Sequence, residues 1–434
     1  MIYIRRKLLK ELKNHLSQKE ISLIVGPRQA GKTTLMLRLE EELKKRKEKT
    51  AFLSLDNEID KKFFSSQQAL IKKIKLEIGE KGYVFIDEIQ RKEDAGLFLK
   101  GIYDMNLPYK LIVSGSGSLE LKEKIHESLA GRKRIFELSP VSFEEFVNFK
   151  TDYRYEEKIE DFFEIEKEKT LDFLKEYLNF GGYPRIILEE EIKEKKKIID
   201  EIFSSYLEKD ISYLLKIKRI DIFSDLIKIL SAQIGQLTNY SRISSELNIS
   251  IQTLKNYLWY AQKTFIIKKL TPFSKNIRKE IVKSPIFYFY DLGLRNYAIG
   301  SFGNLNDYGP IFENFIFDIL REKIRFTGAI IHFWRSKDGA EVDFIVNLGK
   351  NIFPIEVKYR NFKKPEIERS LRSFIRRYHP KKAFIINLNL TKRLKIKETE
   401  IIFLSFSKFI TSNLGSFIMK RINLRLTQKI ERKK

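Results

Sequence analysis

Cysteine is absent from this chain of 434 residues, which excludes disulfides, a thiol nucleophile and any cysteine metal site. Four histidines leave little from which to build a zinc centre. No apolar run approaches the roughly 20 residues of a membrane span. The start, MIYIRRKLLKELKNHL, lacks the apolar core and cleavage site of a signal peptide. Together these absences predict a cytoplasmic protein with no membrane segment. Acid is also in short supply: 83 Lys and Arg face 58 Asp and Glu, a net charge of +25. Such an excess predicts an anionic partner, with nucleic acid the obvious one. A second reading stands beside it. Mixed runs such as Glu190 to Lys197 also read as solvated helix faces, and Lys, Glu and Ile enrichment as thermophile-type surface ion pairs.

With 43% hydrophobic residues, the chain can build sizeable cores, and its length predicts two or three domains. Its most informative string is Gly26-Pro27-Arg28-Gln29-Ala30-Gly31-Lys32-Thr33-Thr34, a complete phosphate-binding loop pattern. An apolar, strand-like run precedes it and a helix-like run follows, which is the context the pattern requires. In such a loop the glycines let successive backbone N–H groups point at a phosphate chain, and the helix N-terminus adds its dipole. Lys32 is expected to reach the β- and γ-phosphates of ATP and Thr33 to sit on Mg²⁺.

Strand-like and helix-like segments alternate through Thr50–Leu55, Gly82–Asp87 and Lys110–Ser116, predicting an α/β domain with a parallel sheet of P-loop NTPase type. The third strand ends in Asp87-Glu88, a Walker B element. Asp87 is expected to hold the Mg²⁺ shell and Glu88 to deprotonate the attacking water. Ser114, ending the next strand, reads either as a sensor of the γ-phosphate or as a turn former. Arg132 reads either as an arginine finger, in cis or from a neighbouring chain, or as a surface arginine. A finger in trans would demand a ring or dimer.

The strings GPRQAGKTT, YVFIDEIQ, LIVSGSGS and LAGRKRIFELSPVSFEEF resemble a family of prokaryotic AAA-type ATPases that carry a C-terminal domain of unknown function. The resemblance extends to NFGGYPRIIL and the segment Tyr206 to Ser212. It implies ATP binding and hydrolysis. The family's lysine, Walker B acids, sensor and Gly-Arg finger map onto Lys32, Asp87, Glu88, Ser114 and Arg132.

Beyond about residue 142 the pattern turns helical. Residues 243–258 have the shape of a helix-turn-helix, with a turn near Asn248 and Ser250 capping a second helix. Thr253, Lys255 and Asn256 would then face DNA, and residues 268–289 would supply a wing. Winged helices also serve as structural or protein-binding modules. In the last third, Glu313 lies on a helix-like segment, Asp343 on a strand, and Glu356-Val357-Lys358 on the next, with Glu356 and Lys358 on one face. This order resembles the metal-dependent restriction-endonuclease-like fold, in which the acids bind Mg²⁺ and the lysine orients water for phosphodiester attack. Half-exposed strands show the same alternation. The tail from Gly415 is basic, which suits phosphates or a solvated end alike.

The resulting expectation is an ATPase domain at 1–142, a helical region at 143–290 with a winged helix at about 231–290, and an α/β endonuclease-like domain at 291–434. Its function would be ATP-dependent control of a DNA-associated, nuclease-like C-terminal region. The alternative is a signalling or defence ATPase whose C-terminal region binds a protein partner without cleaving nucleic acid.

Overall fold

The computed structural model describes residues 3–116, 129–206, 219–274 and 284–412. The basic tail from Gly415, most of the segment Tyr206 to Ser212 and the middle of the expected wing lie outside the described residues. Two compact units interleave along the chain. One comprises Met1–Phe149, Gly181–Ile227 and Leu247–Ile267; the other comprises Lys150–Phe180, Lys228–Glu246 and Lys268–Lys434.

The first unit is built on a five-stranded parallel sheet in the order β2-β3-β4-β1-β5. Its strands are β1 (Ile21–Gly26), β2 (Thr50–Ser54), β3 (Gly82–Asp87), β4 (Tyr109–Ser116) and β5 (Lys133–Glu137). Every residue of β1 is buried, as expected of a strand covered on both faces. Between strands run helices Lys32–Lys45, Gln67–Ile78 and Ala95–Asp104. Leu35, Met36, Leu39 and Leu43 of the first of these form a core with Ile24, Phe85, Ile112 and Phe136. Leu8 and Leu12 of the N-terminal helix Leu8–Asn14 close that core. Strand β5 carries no sequence signal of its own: in KRIFE only Phe136 is buried, the mark of an edge strand. The strand order has one consequence for the site. It inserts β4 between β1 and β3, so Ser114 stands between the phosphate loop and the Walker B acids.

The second unit is built on an eight-stranded mixed sheet, β12-β13-β11-β10-β9-β8-β6-β7. Its strands are β6 (Ile267–Pro272), β7 (Ile286–Phe289), β8 (Ile330–Arg335), β9 (Glu341–Leu348), β10 (Asn351–Val357), β11 (Lys382–Asn387), β12 (Lys392–Ile396) and β13 (Thr399–Ser405). β8, β9 and β10 form an antiparallel meander. Helix Arg369–Tyr378 then carries the chain to β11, which runs parallel to β10, as a crossover helix requires. Helix Gly309–Ile324 precedes the meander.

The middle of the chain does not form a consecutive block. Helices Tyr240–Glu246 and Ile251–Lys263 exist with the expected turn: Asn248 is left-handed at φ 50° and Ser250 Oγ accepts from Thr253 N at 3.0 Å. They fall in different compact units. The stretch expected as a wing forms β6 and β7, neighbours in the eight-stranded sheet, and all four residues of β7 are buried. That burial follows from its sequence, IFYF, which has no polar face to turn outward.

Candidate functional site

The phosphate loop joins β1 to helix Lys32–Lys45 through two left-handed residues, Gln29 (φ 57°) and Gly31 (φ 93°). Gly26 is dictated by close approach, because a Cβ there would lie 2.2 Å from the Leu138 carbonyl oxygen. Lys32 is buried, and its Nζ donates to the carbonyls of Gly26 (3.0 Å) and Pro27 (2.8 Å). Its ammonium is thereby held inside the curve of the loop, where a phosphate chain would be met. Thr33 and Thr34 are exposed at the start of the helix.

The Walker B acids are tied to the loop by a chain of hydrogen bonds. Thr33 Oγ1 donates to Asp87 Oδ2 at 2.8 Å. Ser114 Oγ donates to Asp87 Oδ1 and in turn accepts from Glu88 N at 3.2 Å. Glu88 adopts a left-handed conformation (φ 56°, ψ 41°), and Gln90 Nε2 donates to its carboxylate. A non-glycine residue in that region costs about 1–3 kcal/mol, and such strain persists where the surroundings over-determine it. Here the bond from Glu88 N to Ser114 is one of those determinants. Ser114 is fully buried, with its hydroxyl between the Asp87 carboxylate and the Glu88 amide.

Mg²⁺ fits this donor set. The Thr33 hydroxyl and Asp87 carboxylate offer two adjacent hard oxygens, and Mg²⁺ characteristically takes few protein ligands and keeps several waters.

Arg132 is not brought to this site. It directly precedes β5, whose first residue pairs with Ile21 at the start of β1, whereas the phosphate loop begins where β1 ends. A strand of this length spans about 17 Å. Arg132 instead pairs with Asp104, Nε to Oδ1 at 2.8 Å. The Asp104 carboxylate raises the guanidinium pKa, and Arg132 lowers that of Asp104 in return. Within one chain, Arg132 lies at the opposite end of β1 from the phosphate loop.

Sequence reasoning missed other residues. Arg6 is buried and donates from Nη1 to the Ala30 carbonyl (3.0 Å), from Nη2 to Ser139 O (2.6 Å), and from Nε to Glu145 Oε2 (3.1 Å). It pins the loop to the segment after β5. A cavity of about 460 Å³ opens over the loop, lined by residues 28–34 and Glu88 together with Tyr3, Ile4, Pro184 and Arg185. Arg185 Nη1 donates to Gln29 Oε1 at 3.1 Å and to Glu201 Oε2 at 2.8 Å. In the sequence, Gly181-Gly182-Tyr183-Pro184 reads only as a turn. The following helix Pro184–Leu188, with proline at its start, is what aims Arg185 at the loop.

The C-terminal acids also converge. The β9–β10 register pairs Phe344 with Ile355, and one step further sets Asp343 opposite Glu356. Val357 N donates to Asp343 Oδ2 at 2.7 Å, and Lys358 Nζ lies 3.0 Å from Glu356 Oε1 and 3.1 Å from Glu368 Oε2. Tyr288 OH donates to Glu313 Oε1. Burial pushes the Asp343 carboxyl up to about 6 against the attraction of Lys358. Burial, reinforced by the Asp343 charge, drives Glu313 and Glu356 well above the carboxylate range. Burial opposes the charge on Lys358, but Glu356 and Asp343 outweigh it and raise its pKa. Glu356 Oε2 is buried with no hydrogen-bond partner, an acceptor that a cation or water would satisfy. Among the described residues no three acidic or histidine side chains form a metal-holding group. The carboxylates offered to a metal are therefore Asp343 and Glu356, with Glu313 engaged by Tyr288. A cavity of about 560 Å³ reaches Glu313 and Lys358 between Tyr308, Tyr359 and Arg360.

Residues 18–147 match the family model of an AAA domain. Residues 171–304 and 308–408 match two domains of unknown function, DUF8612 and DUF4143. The uncharacterized protein MJ1544 of Methanocaldococcus jannaschii is 26% identical over 386 residues, covering 88% of this chain and 84% of that protein. An uncharacterized protein of Haemophilus influenzae is 25% identical over 368 residues, covering 82% of this chain and 86% of that one. Among solved structures, a replication initiator DnaA bound to AMPPCP and single-stranded DNA is 17% identical with a TM-score of 0.30, covering 60% of this chain and 90% of that chain. A STAND-type signal transduction ATPase from Pyrococcus horikoshii is 15% identical with a TM-score of 0.29, covering 74% and 46%. Likeness at that level does not bear on function. The AAA match and the five-stranded parallel sheet support an AAA-type, nucleotide-binding ATPase domain in the first part of the chain. Among the described residues no helix is long and apolar enough to cross a membrane.

Proposed function

We propose that this chain hydrolyses ATP at the phosphate loop and uses the cycle to control a DNA-associated C-terminal unit with an endonuclease-like acid–lysine cluster. The observation that carries the first half is the continuous chain Thr33–Asp87–Ser114–Glu88 beside the buried Lys32. Lys32 and the loop amides bind the phosphates, while Thr33 and Asp87 hold the cation. Mg²⁺ when bound supplies charge neutralisation of the phosphate oxygens. Glu88 accepts a proton from the water whose oxygen bonds to the γ-phosphorus; the bond to the β–γ bridging oxygen breaks and ADP leaves. Arg185, already on Gln29 of the loop, meets the developing charge. Arg132, at the far end of β1, serves hydrolysis only from a neighbouring chain.

Support for the second half comes from topology and chemistry together. Helix, three antiparallel strands, helix and a parallel strand follow in order, with Asp343 opposite Glu356 and Lys358 beside it. In the first unit, the helix Ile251–Lys263 exposes Lys255 and Asn256, which suits phosphate or base contact there. A second reading, in which the C-terminal unit binds a protein partner and does not cut, is favoured by the lack of a three-acid metal group among the described residues.

Lys32→Ala and Glu88→Gln are expected to abolish ATP turnover, and activity surviving both would overturn the hydrolytic assignment. Nicking of plasmid DNA with Mg²⁺ or Mn²⁺, lost in Asp343→Ala and Lys358→Ala, separates cutting from binding alone.

A further inference from the structure

Helix Arg369–Tyr378 presents a row of charge that its own fold does not call for. Leu371, Phe374 and Ile375 are buried in the core of the sheet, while Arg369, Arg372, Arg376 and Arg377 are exposed. At 3.6 residues per turn Arg369, Arg372 and Arg376 lie within about 60° of one another and form a row about 10 Å long, which Arg377 flanks about 100° round the helix. Lys363 and Lys364, just before the helix, are exposed as well.

Local stability does not account for this row. Arg376 and Arg377 suit the C-terminal end of the helix dipole, but Arg369 sits in the first turn, where a cation is disfavoured and no acid accompanies it. Arg369 with Arg372 (i, i+3) and Arg372 with Arg376 (i, i+4) are like-charge neighbours, which destabilise a helix. Carboxylates do not offset them. Glu366 pairs with Arg360 and Glu368 with Lys358, and among the described residues none of the four arginines is in an ion pair. Arg372 Nε donates only to a backbone carbonyl, that of Ile367.

We propose that this arginine face, extended by Lys363 and Lys364, is the surface on which the C-terminal unit grips the phosphate backbone of duplex DNA. The inference rests on the DNA-associated reading above and names the surface that serves it. A face of exposed guanidinium groups on one helix complements the phosphates of a duplex strand in charge. Single strands are gripped by stacking their bases on aromatic rings; on this helix Phe374 is buried and Tyr378 is turned toward the core, against Phe374 and Trp334. Glu368, the residue preceding the helix, touches Lys358, so a backbone held here starts beside the cavity that Lys358 and Glu313 line.

The test uses the full chain and fluorescence anisotropy with a labelled 30-bp duplex between 50 and 200 mM salt. The variant R369Q/R372Q/R376Q/R377Q is expected to bind at least about tenfold more weakly, with a slope of log K against log salt reduced by up to about 3.6. The control K392Q/R393Q/K395Q/K397Q removes the same charge from exposed positions on and beside β12 of the same unit and is expected to bind like wild type. Unchanged ATP turnover and thermal midpoint in both variants show that they fold. Equal losses in the two variants would reduce the effect to net charge and overturn the proposal. No loss in the arginine variant would overturn it too, while wild-type binding left the DNA-associated reading standing. If wild type ignores duplex DNA and instead binds phosphatidylserine vesicles or an acidic protein, both the inference and that reading fall.

Discussion

Replacing Ser114 by alanine separates two roles for this residue. A side chain that senses the γ-phosphate contributes to ATP affinity. The structure instead gives the hydroxyl two partners inside the protein, Asp87 Oδ1 as acceptor and Glu88 N as donor. Its removal deletes a hydrogen bond to a carboxylate and orphans a backbone N–H at the end of a buried strand. Bonds to charged groups contribute about 1.5–3 kcal/mol, and an unsatisfied buried donor costs about 1–3 kcal/mol, so a loss of about 2–4 kcal/mol in unfolding free energy is expected, allowing for overlap between the two. That is a large share of the roughly 5–15 kcal/mol that holds a domain together. Glu88 would also lose a restraint on its left-handed backbone, and a general base displaced by about 1 Å costs about 100-fold in rate. Urea unfolding, steady-state turnover and equilibrium titration with a fluorescent ATP analogue read the three quantities separately. The expected pattern is a lower urea midpoint and a kcat reduced about 10- to 100-fold, with analogue affinity within about threefold of wild type. Unchanged stability together with weakened nucleotide affinity would refute the reasoning and return Ser114 to the phosphate.

Other perturbations test the rest of the site. Arg6→Met leaves Glu145 buried without its cation, held only by Lys7 N and Ser142 N, and frees the Ala30 carbonyl; the expected loss is about 3 kcal/mol in urea unfolding, partly recovered by adding Glu145→Gln. Arg132→Ala should leave turnover unchanged at protein concentrations where the chain is monomeric, and a rate loss under those conditions would contradict its placement at the far end of β1. The folded state holds Asp343 near pKa 6, above the ordinary value of about 3.9. Its contribution to stability is therefore complete below about pH 4 and is lost as pH rises through 6. Urea titrations at pH 4, 5, 6 and 7 should show that slope reduced in Asp343→Asn, and an unaltered slope would sink the assignment.

Local pattern was enough to read the phosphate loop, four of the parallel strands and the Ser250 cap, because each depends on neighbours within a few residues. Lys32, Thr33, Asp87 and Glu88 announce themselves by spacing from strand ends, and the Asp343 and Glu356-x-Lys358 pattern by alternation along two strands. What those residues touch was not legible. Sheet order, a long-range property, put β4 between β1 and β3 and so made Ser114 a brace for the acids. The parallel pairing of β5 with β1 sent Arg132 to the opposite end of the sheet. Arg6 acts across more than 130 residues of chain, through Ser139, Pro140 and Glu145, and Arg185 reaches Gln29 from a separate segment. The raised carboxyl groups of Glu313, Asp343 and Glu356 arise from burial and from neighbouring carboxylates, and neither exists until the sheet closes over them. The sequence by itself determined a phosphate-binding loop pattern and its place in the chain; tertiary structure alone decided which side chains contact that loop or lie away from it, because the direction of a side chain is set by packing between distant segments.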